Sequence, residues 1–235
     1  MTVLASNNLT LMDLAKKMAP GDAKIAVVIE MLAQMNPILL DMPFVEGNLP
    51  IGERTTVRTG LPSVFWRLLN AGVQPSKSKT AQVDESCGML EAWAEVDVAL
   101  ANLSNDVSQF RLDESSSFLE AMAQEFASTL FYGNSSLAPE EFNGLSVRYG
   151  DLSAANAQNI IDGGGTGSDN SSVWLVGWGD KTCRGIYPKG TQAGVQHKNL
   201  GEQTIENAGG VSGARMRVFQ DQFIWNGGLT LKDWR

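Results

Sequence analysis

The chain has 235 residues, of which 43% are hydrophobic and 19% charged, with a net charge of −8. The apolar content is sufficient for a packed core, which excludes a disordered chain, and the length suits one large domain or two small ones. The acidic balance excludes a protein that grips nucleic acid over its whole surface, because such affinity comes from neutralised phosphates, so any nucleic-acid contact is expected to be local and weak.

In chain order, Thr10 to Met18 predicts a short helix capped by Thr10 with Asp13 three residues on, ended by Pro20-Gly21. Asp22 then caps a second helix, with Ile25, Val28, Ile29, Leu32 and Met35 on one face and Asn36-Pro37 as its stop. Residues 43–80 read as an extended hairpin. Pro43, Pro50, Pro62 and Pro75 confine its strands to an edge or a protrusion, and Gly60-Leu61-Pro62 predicts the turn. Thr80 to Leu90 extends the second strand. From Trp93 the spacing of Trp93, Val96, Leu100 and Leu103 predicts a helix.

The clearest helix is Asp113 to Phe131, with Asp113 as its cap, a stripe of Phe118, Met122, Phe126, Thr129 and Leu130, and Gly133 as a left-handed end. Beyond it the texture turns rich in Gly, Ser and Asn. Ser153 to Ile161 reads as helix, Ser172 to Trp178 as an apolar strand, and residues 188–213 as glycine-rich loops. Arg215 to Trp225, Asn226-Gly227-Gly228 and Leu229 to Trp234 read as a hairpin.

The residues offer little for catalysis. His197 is the single histidine, in a Gly/Gln/Lys-rich stretch, and reads as a surface side chain. The run Asp162 to Asn170, DGGGTGSDN, has helix before and strand after, the reverse of a phosphate loop. Asp84-Glu85 are adjacent on a strand and so point to opposite faces, while Glu140-Glu141 read as a solvated helix start. Cys87 and Cys183 have no flanking Cys or His, so free thiols are expected, with no disulfide framework and no metal site. The N-terminus lacks a basic leader and apolar run, so no signal peptide is expected. No stretch reaches the roughly 18 apolar residues of a membrane span.

Charge is distributed unevenly. Residues 54–80, RTTVRTGLPSVFWRLLNAGVQPSKSKT, hold five basic residues and no acid, whereas Ala81 to Glu141 hold twelve acids and a single Arg. A two-stranded ribbon is marginal alone in water and must lie on something. Basic ribbon on acidic helix is complementary, and a head-to-tail contact between identical chains closes into rings or extends into lattices. The expected subunit interface is therefore Arg54, Arg58, Arg67, Trp66, Lys77 and Lys79 on the ribbon against Asp113, Glu114, Glu120 and Glu125 on the helix. The competing reading is a merely solvated basic face.

The blocks VEGNLPIGERTTVRTGLPSVFWRLLNAGVQPSKS, CGMLEAWAEVD, FLEAMAQEFASTLFYGN, LSAANAQNIIDGGGTGSDNSSVWLVGWG and LTLKDWR together resemble a tailed-bacteriophage major capsid (coat) protein of the short-tailed-phage type, from about Leu11 to Arg235. The resemblance implies the mixed α+β tailed-phage capsid fold. Residues 1–42 would be an N-terminal arm and 43–90 an extended β-hairpin loop. Residues 91–171 would be a peripheral domain with spine helix 113–131, and 172–235 axial and peripheral strands and loops.

Relatives usually continue past LTLKDWR, so part of the axial domain is expected to be missing or short. The implied function is a non-enzymatic virion subunit that forms an icosahedral shell of pentamers and hexamers around double-stranded DNA. Its partners would be scaffolding and portal proteins and weakly held DNA, without cofactor or membrane, and assembly would occur in the host bacterial cytoplasm. Two alternatives remain. One is an encapsulin-like compartment shell; the other is a monomeric β-rich domain that binds or hydrolyses carbohydrate with Trp174, Trp178 and Trp225.

Overall fold

The computed structural model describes residues 36–104, 106–154, 156–165, 171–206 and 212–233. The two helices expected before Asn36 lie outside the described residues. The elements are α1 (Ile38–Asp41), β1 (Phe44–Glu46), β2 (Gly52–Gly60), β3 (Lys79–Asp97), α2 (Val98–Leu103), α3 (Val107–Tyr132) and α4 (Leu145–Arg148), then a 3-10 turn (Ala157–Asn159), β4 (Cys183–Tyr187), β5 (Val195–Glu206) and β6 (Arg215–Leu231). The content is α+β, as expected. The chain forms two compact units, and β3, α3 and β6 each contribute to both.

The first unit holds Leu90–Ala127 and Gly194–Trp225. Its core gathers Val96, Leu100, Ala101 and Phe110, with Val107 and Phe219 packed against them. Phe126 of α3 stacks on Trp225 of β6, centroids 4.3 Å apart and planes 6° from parallel, worth about 0.5–1.5 kcal/mol beyond the area buried. β5 pairs antiparallel with β6, His197 opposite Phe223, with a shift between Asn199 and Gly201. Gly201 has φ +71°, which only glycine adopts without strain, so it makes the bulge.

That pairing corrects the reading of residues 188–213 as loops: β5 is a strand, hidden in the sequence by its bulge glycine. His197 is thus on a strand, its Nε2 2.8 Å from Asp221. Arg111 donates to the other Asp221 oxygen at 2.7 Å and lies over the Phe219 ring.

Several expectations near the long helix are also corrected. β3 runs on to Asp97, so Trp93 and Val96 are strand residues, and the following short helix is capped by Asp97 accepting from the Ala99 N–H. The long helix begins at Val107 instead of Asp113. Asp106 Oδ1 accepts from the N–H groups of Ser108 and Gln109, which are otherwise orphaned at a helix start. Asp113 sits more than a turn inside and accepts from the Gln109 side chain. At about 1.5 Å per residue its 26 residues extend about 39 Å. Met122, Phe126 and Leu130 of the expected stripe are buried, while Phe118 is half-buried. Gly133 follows the helix without a positive φ. Its role is close approach: a Cβ there would lie 2.4 Å from the Phe142 carbonyl oxygen.

The second unit holds Ile38–Met89, Ser128–Ala193 and Asn226–Arg235. Its strand order is β1-β4-β6-β3-β2. Ile186, Leu229 and Thr230 are fully buried there. Asn226-Gly227-Gly228 is not a hairpin turn. β6 passes straight through it, pairing Gly228 with Ile186. The glycine is needed because a Cβ at 228 would sit 2.7 Å from the Ser86 carbonyl oxygen on the other side. Residues 171–177 form no strand, and Ser153 to Ile161 holds only the short 3-10 turn.

β2 and β3 pair antiparallel from Gly52↔Ser86 to Gly60↔Lys79, with an irregularity between Arg58 and Gly60. The expected turn at residues 60–62 is absent: the strands part at Gly60 and Lys79, leaving 61–78 as a loop without regular structure. Proline at 62 and 75 explains this, since it withholds the N–H a ladder needs.

At the root of this ribbon Glu53 and Glu85 stand directly opposite one another, both buried. Arg148 donates to both oxygens of Glu85 at 2.5 and 2.7 Å. Arg184 donates to Glu53 Oε1 at 2.8 Å, and the Lys232 ammonium lies 3.1 Å from the same oxygen. One position earlier Asp84 points outward and takes Arg54 through two bonds of 2.6 and 2.7 Å. Strand alternation thus separates a wet pair from a dry cluster.

Replacing Arg148 with Met should lower stability by about 3–5 kcal/mol in urea unfolding, because Glu85 would be left charged, buried and facing Glu53. Arg54→Ala should leave the urea midpoint almost unchanged, since its pair is exposed. Gly228→Ala should cost about 1–3 kcal/mol through the clash with strand β3, whereas Gly72→Ala, with nothing within 4 Å, should shift stability by less than about 1 kcal/mol.

Burial pushes the Cys87 and Cys183 thiols up to about 11. At pH 8 only about one part in a thousand would be thiolate. Both should therefore react slowly with a disulfide reagent in the native chain and promptly in guanidinium.

Candidate subunit interface

The ribbon divides into a satisfied stem and an unsatisfied tip. Every residue from Leu61 to Asp84 is exposed. In the stem Asn48 clips the edge of β2, accepting from the Arg54 N–H at 2.7 Å and donating to the Arg54 carbonyl at 2.8 Å. Arg54 is held by Asp84, whose carboxyl the guanidinium keeps below the usual carboxylate range. Arg58 lies on β2 opposite Thr80, and Lys79 begins β3.

In the tip Arg67 Nε donates to the Ala71 carbonyl and Ser76 Oγ to the Ser63 carbonyl, local bonds that shape the loop. Asn70 takes a positive φ of 64°, which asparagine tolerates better than most residues, and so turns the chain at the far end. Lys77 is exposed near the end of the loop, two residues before β3. Trp66 is wholly exposed at 103%, Leu69 at 97%, and Leu61, Val64, Phe65 and Leu68 are exposed as well. So many large apolar side chains in water within one loop are unusual for a folded chain.

The ribbon residues all belong to the second unit. The acidic residues named with them, Asp113, Glu114, Glu120 and Glu125, all lie on the part of α3 in the first unit. Of these, Glu120 accepts from Gln124 at 2.9 Å and Asp113 from Gln109 at 2.8 Å; Glu125 is exposed and Glu114 half-buried.

The sequence reading missed the residues that hold the ribbon in place. Glu85 was weighed only as a catalytic partner, and Glu53, Arg148, Arg184 and Lys232 passed unremarked. Their partners lie as far as 131 residues away in sequence, a separation no local pattern reports. One signal was present: an ionisable residue at an inward position of an alternating strand.

The three tryptophans considered for sugar binding are engaged in packing. Trp225 is buried on Phe126. Trp174 meets Phe131 at 6.2 Å and Tyr149 at 6.3 Å, and Trp178 is part-buried beside a bridge to Cys183. Among the described residues no group of His, Cys, Asp and Glu could hold a metal ion, and no helix is long and apolar enough to cross a membrane.

Comparison with known proteins gives this surface its context. The family model for the major capsid protein GP7 matches residues 20–235. A structure of bacteriophage Epsilon15 is similar over the whole chain, at 30% identity and TM-score 0.71, covering 70% of that protein. A chain from Microbacterium phage Oxtober96 shares the fold over 94% of this chain and 92% of its own, at 14% identity and TM-score 0.53. One from Mycobacterium phage Adephagia shares it over 96% and 92%, at 12% identity and TM-score 0.54. Among the curated proteins none matches. An exposed, rigidly rooted ribbon is what a subunit of a shell needs, and the match covers nearly the whole sequence: the chain belongs to the GP7 major capsid protein family, a bacteriophage virion component whose copies associate into a shell.

Proposed function

We propose that copies of this chain form pentamers and hexamers of a closed icosahedral shell around double-stranded DNA, with the ribbon as the principal reach between neighbours. The observation that carries this reading is the contrast along the ribbon: a root clamped by buried ion pairs and a tip that leaves Trp66 fully exposed. A marginal monomer gains nothing from holding a tryptophan in water. A lattice of identical head-to-tail contacts gains an anchor for each subunit.

The basic residues Arg67 and Lys77 of the tip, with Arg58 and Lys79 at the end of the stem, steer it toward an acidic neighbour, for which Asp113, Glu114, Glu120 and Glu125 on α3 are the proposed facing surface. In this scheme residues 1–42 serve as the arm, 43–90 as the extended loop, 91–171 as the peripheral domain and 172–235 as axial and peripheral strands. The subunit has a structural role without catalysis, and its assembly takes place in the host bacterial cytoplasm with scaffolding and portal proteins. The net charge of −8 suits a wall that does not trap DNA, so DNA contact is weak and non-specific.

Electron microscopy of the purified chain, with mass by light scattering on the same sample, tests the assembly directly. Closed shells, pentamers or hexamers are expected; a clean subunit-sized species at high concentration would overturn the reading. Nuclease-resistant DNA in shells recovered from infected cells is expected, and protein cargo in its place would favour a compartment. Trp66→Ala and Arg58→Glu should each leave the subunit folded by circular dichroism, since both side chains are exposed, yet cut shell yield at least several-fold.

A further inference from the structure

Residues 171–177, SSVWLVG, belong to no strand or helix, yet their burial alternates from Val173 to Gly177. Their composition suits a strand, with β-branched and aromatic residues in alternation. Trp174 and Val176 are part-buried, Trp174 against Phe131 and Tyr149. Val173 and Leu175 point the other way and are exposed at 98% and 103%. Among the described residues the backbone of 171–176 makes no hydrogen bond, and the Gly177 carbonyl accepts only from Thr182 Oγ1. The segment thus has strand-like alternation and is pinned on one face, but among the described residues no strand pairs with it. Such an edge is a template for another chain.

The ribbon tip has the matching deficiency. From Val64 to Arg67 the backbone is likewise without hydrogen bonds among the described residues, and Val64, Phe65, Trp66, Leu68 and Leu69 are exposed. Both segments lie in the second unit, and within one copy each is exposed and neither meets the other. Charge is complementary as well: residues 149–180 hold four aspartates and no Lys or Arg, against five basic residues and no acid over 54–80.

We propose that in the assembled shell residues 63–69 of one subunit add as a strand to residues 171–177 of a second copy, covering Val173 and Leu175. This deepens the assembly reading given above and rests on it. Backbone hydrogen bonds would supply the affinity, and alternate side chains on each edge would fix the alignment.

Cysteine pairing in mixed particles tests the contact. An untagged Leu68→Cys chain and an affinity-tagged Leu175→Cys chain are co-expressed with excess wild-type chain, so that wild-type contacts carry assembly. Particles are oxidised and run on a non-reducing gel, and the positions are then tiled along 64–68 and 173–175. The native thiols at 87 and 183 are part-buried and buried and give a low background.

The expected result is a tagged–untagged dimer that disappears on reduction, strong at alternate positions and weak between them. Particles that form without such a dimer at any tiled pair would overturn the proposal and leave the assembly reading intact. So would a Leu175→Cys chain that links only to a cysteine placed within residues 1–35, which would make the arm the occupant. If the wild-type chain forms no particles, the assembly reading fails and this proposal falls with it.

Discussion

Two carboxylates, Glu53 and Glu85, face each other across paired strands inside the protein. Alone they would repel, and more strongly in a dry setting than in water. Three cations from three distant parts of the chain make the pair tolerable: Arg148 at the end of α4, Arg184 on β4 and Lys232 just past β6. Arg148 also donates to the Leu229 and Asn143 carbonyls, which ties the same guanidinium to β6 and to the segment after α3. The ribbon can therefore be rooted only when every one of these pieces is in place. Buried ion pairs contribute little net stability, but they are strict about geometry. Here they hold a long, exposed element in one orientation on its unit.

Everything beyond the root follows from what remains unsatisfied. In the stem, Arg54 is neutralised by Asp84 and the Arg54 backbone is bracketed by Asn48, so little there invites a partner. In the tip, prolines exclude a ladder and the apolar side chains have nothing to cover them. The stem is thus satisfied within its own unit, and the tip is not. In the first unit, by contrast, Asp221 gathers Arg111 and His197 around one buried carboxylate, and the surrounding aromatic rings are packed.

How much of this was legible in the sequence depends on the range of the interaction. The charge division between residues 54–80 and 81–141 is local and could be read directly. So could the existence of the long helix and its stripe through Met122, Phe126 and Leu130. The family resemblance was legible because whole blocks of sequence carry it.

Elements whose residues answer to a distant neighbour were misread. Asn226-Gly227-Gly228 has turn chemistry, yet Gly228 is there because the Ser86 carbonyl oxygen of β3 lies 2.7 Å from where its Cβ would be. β5 was concealed by Gly201, which looks like a loop residue and is a bulge. Asp113 looked like a cap because Asp106, the true one, stands before a β-branched valine. The root cations could not be found at all, since nothing near Arg148 or Arg184 in sequence announces an acid more than sixty residues away.

The alternation of Asp84 outside and Glu85 inside has a metrical consequence. Sliding β3 by a single residue against β2 would shift it about 3.3 Å and turn its side chains to the opposite face. Asp84 would then be driven into the interior, away from Arg54, and Glu85 expelled from Arg148. The strands are thus locked at one alignment, and the distance from root to tip is the same in every copy. The buried acids thus serve as the ribbon's gauge of length.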